Sequence, residues 1–243
     1  SEGGSGDSFT LQLSAQPASD VSISFDGGAE LSLAPNPLVI SSAQWNQPQT
    51  VTVTAVDDDI AQGTRTIDVV LGFSGDADFA ALPAGSVRLA VTIGDNDSAG
   101  IVLVESGGGS QAVEGGAGDD YTLRLQTQPT AEVQIAIEGG DQLQVSPALV
   151  SFTAANWNLP QTVTVNAVDD GRIEGPHSGS VSHAASSADP AYDGLVLALP
   201  VFIIDNLQPI QPRQIPASRD ASLALLAVLI GLLAAAVLRR REG

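Results

Sequence analysis

The chain has no cysteine among its 243 residues. That excludes a disulfide framework, a thiolate nucleophile and a cysteine-ligated zinc site. A domain of about 100 residues can close a core without such staples. Lysine is absent as well, and all nine basic residues are arginines. Only Arg65, Arg88, Arg124 and Arg172 fall in residues 1–207. Setting Asp220 and Glu242 aside from the 28 acidic residues leaves 26 carboxylates there, so this portion carries about 22 negative charges. Such a surface repels phosphate and excludes nucleic acid as a partner. It suits cations, or solubility in salty surroundings. Histidine is nearly absent: His177 and His183 are the two present. Six residues apart, they share a strand face but sit far from each other. They give no metal or catalytic signal. There is no Ser-His-Asp pattern and no phosphate loop leading into a helix. The glycine runs Gly107-Gly108-Gly109 and Gly115-Gly116 read as turns. No enzyme activity is expected within these residues.

What the chain does have is a repeat. Residues 2–63 align without a gap on 114–175. Glu2-Gly3-Gly4 falls on Glu114-Gly115-Gly116, and Gln16-Pro17 on Gln128-Pro129. Trp45-Asn46 falls on Trp157-Asn158. The match peaks at Pro48-Gln49-Thr50-Val51-Thr52-Val53 against Pro160-Gln161-Thr162-Val163-Thr164-Val165 and ends in acidic turns, Asp57-Asp58 and Asp169-Asp170. A unit of this length is a whole small domain, not a solenoid repeat.

Both repeats read as all-β. Phe9–Leu13, Val21–Phe25, Thr50–Thr54, Thr66–Leu71 and Val87–Ile93 alternate apolar and polar residues at period 2. Gly, Pro, Asn and Asp clusters separate them. About seven strands per ~100 residues predicts an immunoglobulin-like antiparallel β-sandwich. Trp45 and Trp157 should pack the sandwich edge. The domains are read as residues 1–97 and 98–207. The first lacks the strand Ile101–Val104 that precedes its counterpart. Together with a start at Ser1 and no signal peptide, this leads to the expectation of a C-terminal piece of a longer, exported protein. Residues 208–220 hold three prolines and form an extended linker. Residues 221–238 carry no charge and would span ~27 Å as a helix, close to a bilayer core. Arg239-Arg240-Arg241 follows, so residues 239–243 are read as a cytoplasmic tail and residues 1–220 as outside. The full expectation is two tandem sandwiches followed by a single transmembrane helix.

The acidic turns are the candidate sites. The first repeat offers Asp57, Asp58 and Asp59, then Asp95 and Asp97 after its last strand. The second offers Asp169, Asp170 and Glu174, then Asp205. Loops at one end of a sandwich can pool oxygens around Ca²⁺, which takes six to eight of them. Adjacent carboxylates otherwise repel one another unless a cation or open solvent relieves them.

Val56-Asp57-Asp58-Asp59-Ile60 with Ile93-Gly94-Asp95-Asn96-Asp97, and Val104-Glu105-Ser106-Gly107, resemble the Calx-beta repeat. The resemblance covers residues 1–207. It implies a sandwich and a calcium site drawing on the opening Glu, the acidic turn with its nearby Glu, and the closing acidic run. On the second repeat those positions are Glu105, Asp169, Asp170, Glu174 and Asp205. On the first they are Asp57, Asp58, Asp59, Asp95 and Asp97, the opening Glu being expected upstream of Ser1 unless Glu2 substitutes for it. The first repeat has Gln62 where the second has Glu174. The second has Gly171 at the third acidic position and Leu207 at the last. Ile215-Pro216-Ala217-Ser218, the apolar stretch and the arginine cluster look like the tripartite sorting signals of Gram-negative bacteria, the IPTL type in particular. That likeness implies a membrane-embedded processing enzyme as a partner. The expected function is a membrane-anchored surface protein whose repeats form a stalk or adhesive array facing an extracellular partner, stiffened by calcium. The alternative is a calcium-independent spacer for an upstream enzymatic domain.

Overall fold

The computed structural model describes residues 1–207, which form one compact unit. The linker, the apolar stretch 221–238 and the arginine tail lie outside the described residues. Among the described residues, no helix is long and apolar enough to cross a membrane.

Each repeat is a β-sandwich. The first runs β1 (Asp7–Leu11), β2 (Val21–Asp26), β3 (Leu31–Ala34), β4 (Leu38–Ile40), β5 (Gln49–Ala55) and β6 (Arg65–Ser74). A one-turn helix, α1 (Ala77–Ala80), leads into β7 (Arg88–Ile93). The second runs β8 (Ile101–Glu105), β9 (Gln111–Val113), β10 (Asp119–Leu125), β11 (Val133–Glu138) and β12 (Leu143–Ser146). It continues with β13 (Leu149–Phe152), β14 (Gln161–Ala167), β15 (His177–Ser187) and β16 (Val196–Ile204). The sheets are β1-β5-β3 and β4-β2-β6-β7 in the first repeat, then β12-β14-β10-β8 and β13-β11-β15-β16-β9 in the second. All pairs are antiparallel except β9 with β16.

The period-2 patterns do the folding work expected of them. Strand β11 buries Val133, Ile135 and Ile137 and exposes the residues between. Its counterpart β2 buries Val21, Ile23 and Phe25. In the second repeat, Tyr121, Leu123, Val163 and Val165 from one sheet meet Ile135, Val181 and Val201 from the other in one cluster. In the first, Val51 and Val53 meet Val21, Ile23, Val69 and Ile93. Each fully buried aliphatic side chain contributes about 1.5–3 kcal/mol. Trp45 and Trp157 pack half-buried against the two cores. Their carbonyls accept from Leu13 N (2.9 Å) and Leu125 N (2.8 Å). His183 is also structural. It is 1% exposed, with Nε2 2.8 Å from the Tyr121 hydroxyl and Nδ1 3.2 Å from Leu197 O. Burial pushes its pKa down, partly offset by the Leu197 carbonyl.

The repeats differ at one edge. Strand β8 covers β10, from Tyr121↔Glu105 to Leu125↔Ile101. The first repeat has no such strand among the described residues, and β1 pairs with β5 alone. Within residues 1–207 taken alone, the β1 amides not directed at β5 have no strand partner. In native-state hydrogen exchange, those amides should exchange at least ~10-fold faster than their β10 equivalents. Equal protection would mean that the β1 edge is covered.

The acidic turn of the first repeat also reaches the second. Asp59 O accepts from Gln128 N at 2.6 Å. A cleft of about 630 Å³ at this joint is lined by Gln62, Gly63, Asp95 and Asp97 on one side and Thr130 and Asp189 on the other.

Candidate cation sites

Each repeat builds a carboxylate cluster at one end of its sandwich, with the same backbone in both. The amide of Glu2 donates to Gly94 O (2.9 Å), just past β7. The amide of Glu114 donates to Ile204 O (3.0 Å) at the end of β16. Each glutamate is thereby tied beside the closing segment. The next residue is glycine for a reason. Gly3 and Gly115 have φ of +61° and +62°, and a Cβ there would lie 3.2 Å from Asp57 Oδ1 or 3.0 Å from Asp169 Oδ2. The left-handed turn and the close approach of the acidic turn both call for glycine.

Asp95 and Asp205 hold the turn to the closing segment. Asp95 Oδ2 accepts from the Gln62 and Gly63 amides, and Oδ1 from the Asp97 amide (2.8 Å). Asp205 Oδ2 accepts from Glu174 N (2.6 Å) and Gly175 N (2.7 Å), and Oδ1 from Leu207 N (2.7 Å). Burial alone would raise the Asp95 pKa, but the three amides and Arg65 bring it below the usual carboxylate value. For Asp205, the Gly175 and Leu207 amides outweigh burial and lower the pKa. These two carboxylates are therefore anionic anchors that shape each site.

In the first repeat, single ligand atoms of Glu2, Asp58 and Asp97 all lie within 4.8 Å of one another. Glu2 is 3% exposed. Its Oε1 accepts from Arg65 Nη2 at 2.6 Å, and the Arg65 Nε donates onward to Glu30. Glu2 Oε2 and Asp97 Oδ2 are buried without a hydrogen-bond partner. Burial raises the Asp97 pKa, reinforced by repulsion from Asp95, Asp59, Glu2 and Asp57. Asp58 accepts from Ile60 N (2.8 Å) and Gln62 Nε2 (3.3 Å). Asp57 accepts from Asn96 Nδ2 (2.9 Å).

In the second repeat, the group within 4.8 Å is Glu114, Glu174 and His177. Glu114 is 2% exposed, and both of its oxygens lack a partner. Burial raises its pKa, with further contributions from Asp205, Asp170, Asp169 and Glu174. Asp170 accepts from Arg172 N (3.0 Å), and the Arg172 Nε lies 3.7 Å from it.

Of the residues expected at these sites, the fold brings Asp58 and Asp97 into the first close group and Glu174 into the second, while Asp57, Asp59, Asp95, Asp169, Asp170 and Asp205 stand outside both groups. Glu105 stands outside both groups of mutually close ligand atoms and accepts from the Ser110 hydroxyl at 2.9 Å. The opening glutamates that do face the clusters are Glu2 and Glu114. Both head Glu-Gly-Gly triplets that align between the repeats, but that alignment alone does not tell Glu114 from Glu105 as the inward-facing residue. For His177 the sequence signal was Glu174 three residues before it; Glu114, which follows β9, reaches it only through the fold. Chemically, both clusters present hard oxygens with incomplete charge compensation, as divalent-cation sites do.

No family model matches the chain, and none of the curated proteins does. Among solved structures, the chain is similar to the periplasmic chaperone SfaE, at 16% identity and a TM-score of 0.33 over 48% of this chain and 62% of that one. It is similar to zebrafish RET cadherin-like domains 1 to 4, at 11% and 0.28 over 76% and 41%. It is also similar to domains 4 and 5 of the S-layer protein SbsC, at 16% and 0.29 over 80% and 79%. The chain covers less than two thirds of the length of the first two. At such TM-scores these likenesses assign neither a family nor an activity.

Proposed function

We propose that this chain is the repeat-bearing part of an exported bacterial surface protein. Its tandem sandwiches form a stalk or adhesive array, with residues 221–238 as the membrane segment and the arginines behind it as a sorting or retention signal. Calcium binds at the end of the first sandwich and stiffens the joint to the second. One observation carries the calcium reading. Glu2 Oε2 and Asp97 Oδ2 are buried and unpartnered within one cluster, and Asp97 also lines the cleft between the repeats. An uncompensated buried carboxylate is costly, so a cation that satisfies both oxygens is bound only by the folded, docked form. Glu2, Asp58 and Asp97 would hold it, with solvent completing the shell. Calcium would neutralise the cluster and cross-link the joint. Affinity in the range of extracellular modules, about 10⁻⁴–10⁻³ M, fits a site with an arginine already in it.

Small-angle scattering of residues 1–207 tests the stiffening. In millimolar calcium the pair of sandwiches should give a narrower distribution of maximum dimensions than in chelator. Superimposable curves would remove the stiffening role and leave a calcium-independent spacer.

A further inference from the structure

We propose that the second repeat binds a transition-type divalent ion, zinc being the reference case, through Glu114, Glu174 and His177. This rests on reading the sandwich ends as cation sites and departs from it in the ion. The two sites share a backbone but exchange their cationic position. Arg65 of the first repeat aligns with His177 of the second, and Gln62 with Glu174. Glu2 therefore has one oxygen committed to a permanent guanidinium. Glu114 is equally buried and has neither oxygen committed among the described residues.

The imidazole is oriented as a ligand. His177 Nδ1 lies 2.9 Å from Gly175 O. A carbonyl only accepts, so Nδ1 carries the hydrogen and the neutral ring keeps its lone pair on Nε2. That atom is buried without a hydrogen-bond partner and lies 3.8 Å from Glu174 Oε2. Metal-bound histidines are characteristically fixed in this way, with the other ring nitrogen donating to a carbonyl. Gly175 is itself held, because its amide donates to Asp205. Three donors at ~2.0–2.2 Å from one ion lie ~3–4 Å apart. The present group lies within 4.8 Å, and its exposed member is Glu174. Imidazole nitrogen is a favoured ligand of zinc and its neighbours in the transition series, whereas calcium takes oxygen. The lack of cysteine excludes thiolate zinc sites and leaves this class open. The partly exposed Glu174 leaves room for water in the remaining positions.

The test uses the whole chain in mild detergent, stripped of metals by chelator. Zinc titrated calorimetrically should bind one high-affinity site, and cobalt should give visible d–d absorption at that site. His177→Ala should weaken zinc at least 10-fold and abolish the cobalt bands. It should leave the calcium-dependent rise in melting temperature unchanged. Asp97→Asn should do the reverse, removing the calcium effect and sparing zinc. Zinc affinity untouched by His177→Ala, or cobalt without the bands, would overturn the inference. A zinc site without any calcium effect would leave it standing and remove the calcium reading of the first repeat alone.

Discussion

Replacing Arg65 by methionine should destabilise the first repeat by about 3 kcal/mol in chelator, the low end for breaking a buried ion pair. Arg65 opens β6 opposite Ile93 of β7 and ties two otherwise separate segments together. Glu2 has no side-chain exposure, so losing its guanidinium strands a buried carboxylate. Glu30 is 37% exposed, and its half of the network contributes little because solvent screens it. For a domain of this size, ~3 kcal/mol corresponds to a fall of more than about 10 °C in the melting temperature of the first repeat. Calorimetry of the variant should show that fall, and millimolar calcium should recover part of it. The divalent ion takes over the compensation of Glu2 and gains a free oxygen. A loss below ~1 kcal/mol, or a variant blind to calcium, would mean that Glu2 is relieved by something other than Arg65.

Glu114→Gln should act in the opposite direction in chelator and raise the melting temperature by several degrees at neutral pH. Burial, with Asp205, Asp170, Asp169 and Glu174 nearby, holds the Glu114 pKa above its ordinary value. A carboxyl raised in the fold stabilises fully below its unfolded pKa, ~4.3 for glutamate, and that contribution is lost as pH rises through the folded value. At pH 7 the ionised form is therefore a net cost that an amide of the same shape avoids. Asp97, also raised, adds to the same trend. Asp76, Asp95, Asp119, Asp189 and Asp205 are lowered. Their stabilisation is present above the unfolded aspartate value of ~3.9 and disappears as pH falls through their folded values. Metal-free protein should thus gain stability from pH 7 towards mild acid and lose it again below about pH 4. The variant should lose much of the first rise and all zinc-induced stabilisation. A variant less stable than the parent at pH 7 in chelator would contradict the assignment of Glu114 as an uncompensated carboxylate.

The fold was legible because strand information is local. Val21–Phe25 and Thr50–Thr54 alternate within five residues, and the structure extends each by only one or two. The gapless repeat added that whatever one unit builds, the other builds too. The acidic turns were legible as well, since Asp57 to Asp59 and Asp95 to Asp97 stand out in composition. The buried half of each site was harder to read. Glu105 and Glu114 both follow a valine and precede glycines, and sequence does not say which one turns inward. That depends on β9 pairing with β16 in parallel, which ties the Glu114 amide to Ile204 O. His177 had Glu174 three residues before it as a local signal, but its buried carboxylate neighbour Glu114 arrives by the same long-range pairing. Arg65 was visible only as a scarce cation. Its role as internal counter-charge emerges from the close approach of Glu2 and Glu30.

The most direct measurement is thermal unfolding of residues 1–207 in chelator and in calcium, for the parent and for Asp97→Asn. A ligand bound by the native state alone adds ~2.7 kcal/mol at about 100 times its Kd. The parent should melt several degrees higher in calcium, and magnesium at the same ionic strength should not reproduce the shift. Asp97→Asn should be insensitive to calcium and slightly more stable than the parent in chelator. Equal calcium responses in the two proteins, or none in the parent, would contradict the claim that the buried carboxylates at the joint form a cation site.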